Sequence, residues 1–274
     1  MAYDALEVSN YAGGAIRLYE LTRQGVTWRY TTCETDVVYG GQTYFSRPVG
    51  DEGVKQKGEA VTDDFTIILP SSEPIPSLFN GTPPLDPIKA VMRAMQPGDT
   101  EAPIMWVGYV SSVKFRDEVT SAITCNTQTA TFQRKGVRLS WTRACPHALY
   151  DEQCRADKTL FRKLATITAL TGNSFTFTYL DGSAIVNDGA FTNGFIEWNS
   201  NPTTIERRGI TSQLNDTILT LGQTDGLVVG LIVYLYRGCN RLPETCLNVF
   251  NNIDNFGGFP FLPGKSPFDG DPVF

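Results

Sequence analysis

Residues 238–263 read GCNRLPETCLNVFNNIDNFGGFPFLP, a segment in which two cysteines precede an irregular run rich in Asn, Gly and Phe. Six residues separate Cys239 from Cys246. The run after them lacks the periodicity of a helix or a strand, while the Gly257–Gly258 pair and the asparagines favour tight turns. Its three phenylalanines would bury an otherwise irregular loop; they are Phe256, Phe259 and Phe261. The segment therefore predicts a packed loop that forms the wall of a site.

A second cysteine pair lies upstream in the motif CPHALYDEQC, where eight residues separate Cys145 from Cys154. A further 84 residues lie between Cys154 and Cys239, so the pattern is C-x8-C…C-x6-C. Four thiolates can close a tetrahedral zinc site or hold the four irons of a cubane. Neither pair has the spacing of two to four residues that is common in zinc sites. The residues alone do not decide between a zinc site and an iron–sulfur cluster. Disulfides are disfavoured in a reducing cytoplasm.

The combination of CPHALYDEQC, GC-x6-C and FNN-x2-NFGGFPFLPG resembles the phage tail-tip protein L family of lambda-like siphophages and gene transfer agents. The resemblance is strongest over Arg143–Cys154 and Gly238–Gly264. It implies a [4Fe-4S] cluster as cofactor, whose cofactor-binding and metal-ligating residues would be Cys145, Cys154, Cys239 and Cys246. It also implies a virion structural protein, a hub or baseplate-like ring of three copies in the tail tip. That ring would join the distal tail protein to the central fibre, let DNA pass, and be assembled in the bacterial host cytoplasm.

Composition excludes several classes of protein. The net charge is −6, and no block of Lys and Arg supports stable nucleic-acid binding. The longest apolar run, Leu227–Tyr236, has ten residues, against the ~20 that a membrane-spanning helix needs. The first residues lack the apolar region of a signal peptide. Without a catalytic constellation, we expect a structural protein and not an enzyme.

The predicted fold is mainly β, with two linked β-rich domains, one short helix and a cysteine-ligated cluster at their junction. The domains are residues 1–136, residues 137–264 with a β insert between the cysteine pairs, and an extended tail at 265–274. The helix is predicted over Asp86–Met95, with Asp86 as N-cap and Pro87 at the first helical position. Strands are predicted over Ile16–Leu21, Thr27–Tyr30, Val37–Tyr39, Thr43–Phe45, Phe65–Leu69, Ile104–Val110, Val113–Arg116, Ala122–Asn126, Ala130–Gln133, Phe175–Tyr179, Phe195–Trp198, Thr203–Ile210, Thr217–Leu221 and Val228–Tyr236.

Two alternative functions remain open, and one of them involves His147. His147 follows Cys145 by two residues and could form half of a Cys–His nucleophile pair, although loop packing or a hydrogen bond beside the cluster fits a lone histidine better. The alternatives to the tail-tip role are a redox or hydrolytic enzyme that uses the cluster or Cys145 and His147, and a zinc-stapled binding module. Cys33 and Cys125 lie outside the motif and are predicted to be small buried hydrophobic residues.

Overall fold

The structure is a computed structural model that describes residues 14–54, 64–128, 141–185, 188–201 and 204–262. The chain divides into two compact units, Met1–Lys135 and Gly136–Phe274. The predicted strand at 130–133 and the predicted tail at 265–274 lie outside the described residues. Among the residues that are described, no helix has both the length and the apolar character needed to span a membrane.

The described part of the first unit is a single nine-stranded sheet with one short helix. Its elements are β1 (Ile16–Arg23), β2 (Val26–Thr31), β3 (Val37–Tyr39), β4 (Gln42–Ser46), β5 (Gly50–Asp51), β6 (Phe65–Pro70), α1 (Pro74–Ser77), β7 (Lys89–Met95), β8 (Ile104–Phe115) and β9 (Thr120–Thr127). The strand order is β3-β4-β2-β1-β7-β8-β9-β6-β5. Alternate residues of β6 are buried, as expected for a strand with one face on the core.

A two-residue hairpin joins β3 to β4. Gly40 and Gly41 join the strands with φ angles of 58° and 73°. Two consecutive positive φ angles are what a two-residue hairpin turn requires, and glycine adopts them without steric cost.

The helix predicted over Asp86–Met95 is wrong, because Lys89–Met95 forms the central strand β7. Lys, Ala, Met and Arg are good helix formers, which made the helix plausible. In the sheet, however, Ala90, Met92 and Ala94 alternate as buried residues. The strand pairs with β1 on one side and with β8 on the other, so the backbone groups find partners there. Asp86, the predicted cap, instead accepts a hydrogen bond from the side chain of Gln24.

The second unit contains, in its described part, a closed six-stranded barrel. Its strands are β10 (Arg162–Thr171), β11 (Ser174–Tyr179), β12 (Phe195–Asn201), β13 (Thr204–Leu214), β14 (Thr217–Thr220) and β15 (Ile232–Tyr236), and α2 (Pro243–Asn248) and a 3-10 turn (Ile253–Asn255) follow. The barrel closes where β10 pairs with β15 and Arg162 lies opposite Tyr236. Both ends of the long insert therefore leave the barrel side by side.

Three strand predictions in the two units need correction. The strands predicted at Ile104–Val110 and Val113–Arg116 are one strand, β8, with a register shift between Val110 and Ser112. The last strand begins at Ile232, because Val228 and Val229 lie exposed in a turn. Strand β10 was missed altogether, although Ala165 and Ile167 supply its buried face.

A buried carboxylate links the barrel to the segment before it. Tyr236 donates a 2.6 Å hydrogen bond to Glu197, Lys158 lies 3.4 Å from the same carboxylate, and Arg207 also donates to it. Burial raises the pKa of Glu197, but the hydrogen bonds from Tyr236 and Arg207 outweigh burial and lower that pKa overall. Burial and the bond to Glu197 raise the pKa of Tyr236 to about 12, so its hydroxyl remains a donor.

We expect Glu197→Gln to lower the free energy of unfolding of the second unit by about 1–3 kcal/mol at pH 7, since it removes charge-assisted hydrogen bonds. The lowered pKa means that the stabilisation is fully present above the ordinary carboxyl value of about 4.3. It is lost as the pH falls through the folded-state pKa. Urea unfolding at pH 7 and pH 3 should therefore show a smaller acid effect in the variant. The exposed Glu152→Gln is the control, and equal behaviour of the two variants would contradict the prediction.

Candidate functional site

A cavity of about 700 Å³ in the second unit is lined by all four motif cysteines. The first pair, Cys145 and Cys154, lies in the irregular segment before β10, while Cys239 lies three residues after the end of β15 and Cys246 lies in α2. Cys246 is buried and the other three are partly exposed. All four belong to the second unit.

Tyr150 anchors the first cysteine loop on the barrel. Its hydroxyl donates a 2.7 Å hydrogen bond to the backbone oxygen of Arg237, and its ring contacts Phe161, Phe195 and Phe250 with centroids 6.0–6.4 Å away. Tyr150 has a φ of 66°, a conformation that a bulky side chain adopts only when the surrounding packing holds it. Burial, and next the neighbouring Cys154, raise the pKa of its hydroxyl.

Arg241 joins one cysteine of each pair through its backbone. Its N–H donates to the Cys239 sulfur at 3.3 Å, and its carbonyl oxygen accepts from the Cys145 N–H at 3.0 Å. Arg241 has a φ of 63°, in the left-handed region. No local pattern predicts this contact, because a left-handed arginine has no signature in the sequence.

The thiols influence one another electrostatically. Burial, and next the neighbouring Cys239, Cys145 and Cys154, raise the pKa of Cys246 to about 11. Burial also raises the pKa of Cys239, which the Arg241 N–H partly offsets, and then Cys154 and Cys145 add to the increase. A metal that binds these sulfurs would displace their protons.

The Asn/Gly/Phe run forms part of the cavity wall, but not as predicted. Phe256 lines the cavity, whereas Phe259 stacks on Trp141 with ring centroids 4.5 Å apart. Phe261 is 98% exposed, so it does not bury the loop. Phe256 is therefore the phenylalanine of this run that lines the cavity.

Glycine is needed at positions 257 and 258 because neighbouring atoms lie too close to leave room for a Cβ. Unusual backbone angles are not the reason, since neither residue has a left-handed φ. A Cβ on Gly257 would lie 2.1 Å from Nε2 of His147. A Cβ on Gly258 would lie 2.7 Å from the backbone oxygen of Arg143 and 2.8 Å from the backbone carbon of Ala144. The run thus lies directly against the first cysteine loop.

We expect Gly257→Ala to destabilise the second unit by about 1–3 kcal/mol, because the new methyl group pushes against the His147 ring. His147→Ala should remove most of that cost, giving a coupling of about 1–2 kcal/mol in a double-mutant cycle measured by denaturant unfolding. Gly258→Ala is the matched control: its methyl group meets backbone, so His147→Ala should not relieve it. A Gly257→Ala cost that is independent of His147 would contradict this contact.

The donor set fits an iron–sulfur cluster, since cysteine thiolates are the usual ligands of such clusters and the cavity is larger than a single metal ion. Within the described ranges, no group of three or more His, Cys, Asp or Glu side chains is arranged to hold one metal ion. His147 also lines the cavity, and its Nδ1 is buried without a hydrogen-bond partner in the described part of the chain.

The two remaining cysteines differ from each other. Cys125 is fully buried in β9, as predicted. Cys33 is only partly buried and lies in a bend after β2, so its prediction as a buried residue is wrong.

Comparisons with known proteins bear on the fold and on the cysteine segment. The family model described as "Phage conserved hypothetical protein BR0599" matches residues 189–266. An uncharacterized protein of Xylella fastidiosa (strain 9a5c) is 30% identical over 129 residues, which is 43% of this chain and 27% of that protein. The match thus spans little more than a quarter of that relative's length.

A chain in the solved structure titled "Virion of native gene transfer agent (GTA) particle" is similar along its whole length. The TM-score is 0.77 at 18% sequence identity, over 100% of this chain and 99% of the other. This chain therefore has the fold of that gene transfer agent virion protein, and its last strands and second cysteine pair lie in the segment that the phage family model matches.

Proposed function

We propose that this chain is a structural subunit of a bacteriophage or gene-transfer-agent tail tip. In this proposal a [4Fe-4S] cluster is held by Cys145, Cys154, Cys239 and Cys246. The observation that carries the proposal is that four thiols from two distant segments line one cavity. The full-length likeness to a virion protein and the match to a phage family model support the virion role.

The cluster's proposed role is that of a staple. When bound, it would supply iron–sulfur bonds that tie the two cysteine loops together. The chain's own residues already bring those loops to one place: the β10–β15 pairing aligns their starting points, and Tyr150 and Arg241 hold them by hydrogen bonds. A ring of three copies between the distal tail protein and the central fibre remains part of the proposal, based on the family resemblance.

Metal analysis of the full chain, purified without oxygen, tests the cofactor. We expect a brown protein with iron and acid-labile sulfide in equal amounts, about four of each per chain. A colourless protein with one zinc per chain would instead support the zinc-stapled module. The virion role is tested separately, by complementing a phage or gene transfer agent that lacks this chain and by looking for the chain in purified particles. Complete, functional particles without it, or measurable turnover by the isolated subunit, would overturn the structural role.

A further inference from the structure

Asn252 contacts one cysteine of each pair. Its side-chain Nδ2 donates a 2.5 Å hydrogen bond to the backbone oxygen of Cys154 and lies 3.9 Å from the Cys154 sulfur. Its backbone N–H donates to the backbone oxygen of Cys246 at 2.9 Å, and its own backbone oxygen accepts from the Cys246 sulfur at 3.1 Å. A single asparagine thus joins two segments that are 98 positions apart.

The orientation of the Asn252 amide follows from its partners. A backbone carbonyl can only accept, so the atom that faces the Cys154 oxygen must be the NH₂ group. The other end of the amide, Oδ1, accepts a 2.6 Å hydrogen bond from Nδ2 of Asn255. The contact with Asn255 is compatible with the orientation that the Cys154 carbonyl requires, and that orientation directs an N–H donor toward the Cys154 sulfur.

We propose that Asn252 is a positioning residue that ties the Cys154 loop to the Cys246 helix and presents an N–H donor to the Cys154 sulfur. This proposal rests on the proposed function only for the identity of the group that the thiols bind. The hydrogen bonds of Asn252 that tie the two segments together belong to the chain itself. Together with the Arg241 backbone, which joins Cys145 to Cys239, it gives each cysteine of the first loop one fixed counterpart in the second. A donor beside a ligating sulfur stabilises added negative charge and so raises the reduction potential of a cluster.

The variants Asn252→Leu and Asn252→Asp test the tie in the full-length protein. Leucine removes every polar contact of the side chain at similar volume. Aspartate keeps the acceptor for Asn255 but loses the N–H group and places a carboxylate beside the Cys154 carbonyl. The matched control is Asn251→Asp, because Asn251 is exposed and its φ of 46° lies in a region that aspartate also tolerates.

Two measurements test the hydrogen bonds of Asn252 and the effect on the cofactor separately. Hydrogen exchange of backbone amides, measured on protein treated with an iron chelator, should accelerate about tenfold in residues 148–155 and 246–252 of both Asn252 variants, since a hydrogen bond between the loops is lost. In the iron-loaded protein, the midpoint reduction potential should fall in both variants, and further in Asn252→Asp because of its added charge. Asn251→Asp should match the wild type in both measurements.

The outcomes distinguish this inference from the proposed function. Accelerated exchange in a chain that takes up no iron supports the tie and rejects the cluster. Unchanged exchange in both Asn252 variants overturns the tie, whether or not iron is bound. A loaded protein whose potential does not move overturns the donor role toward the Cys154 sulfur, and an equal effect of Asn251→Asp overturns the specificity for Asn252.

Discussion

If the chain holds the proposed [4Fe-4S] cluster, serine variants of the four motif cysteines are expected to purify with less than a tenth of the wild-type iron and acid-labile sulfide. They are Cys145→Ser, Cys154→Ser, Cys239→Ser and Cys246→Ser. Loss of a residue that only supports a ligand commonly costs 10–100-fold in metal affinity, and loss of a ligand itself should cost more. Because metal binding contributes to folding free energy, the thermal unfolding midpoint of the second unit should also fall.

The controls for this series are the other two cysteines. Cys33→Ser should leave iron content and stability unchanged, since Cys33 is only partly buried. Cys125→Ser should keep the iron but destabilise the first unit by about 1–3 kcal/mol, because a hydroxyl replaces a thiol in its core. Loss of iron in Cys125→Ser, with full iron in Cys145→Ser, would show that the ligands have been assigned wrongly.

Gly238→Ala is expected to destabilise the second unit by about 3 kcal/mol or more. An added Cβ at this position would lie 1.8 Å from the backbone oxygen of Thr192 and 2.6 Å from the backbone nitrogen of Gly194. Backbone cannot move aside as a flexible side chain can, so the segment that leads from β15 to Cys239 would have to shift. The predicted consequences are a lower denaturation midpoint and weaker retention of iron.

Gly209→Ala provides the comparison in the same barrel. Its Cβ would lie 3.5 Å from the Cβ of Leu221, an ordinary van der Waals distance, so we expect a change within about 1 kcal/mol. Chemical denaturation of both variants measures the difference. A Gly238→Ala variant as stable as Gly209→Ala would contradict the close backbone approach at the exit of β15.

The strands of the first unit were largely predictable because their alternation is local. FTIIL, residues 65–69, is rich in β-branched and aromatic residues and so predicts a strand, and its buried and partly exposed positions alternate in the structure. The error at Lys89–Met95 arose because helix propensity is also local, whereas the strand there is stabilised by neighbours from elsewhere in the chain. Closure of the barrel depends on a pairing between Arg162 and Tyr236, and nothing near either residue indicates it.

In the candidate site, too, some features could be predicted from the sequence and others could not. The spacing of the cysteines and the resemblance were sufficient to nominate the four residues that line one cavity. The contacts that hold them were not predictable, because Asn252 and Arg241 act across the fold and resemble ordinary loop residues in sequence. Gly257 was expected to serve a tight turn, whereas the structure shows that it makes room for His147.

Barrel closure also has a consequence for the order of events during synthesis. The ribosome completes Cys145 and Cys154 before any barrel strand exists, and it reaches Cys239 only after β15, the last strand, has been made. A nascent chain that ends before Ile232 can neither pair β10 with its partner nor bring the second cysteine pair to the first. We therefore expect assembly of the proposed cluster to be a late, post-translational step that is available only to chains whose barrel has already folded.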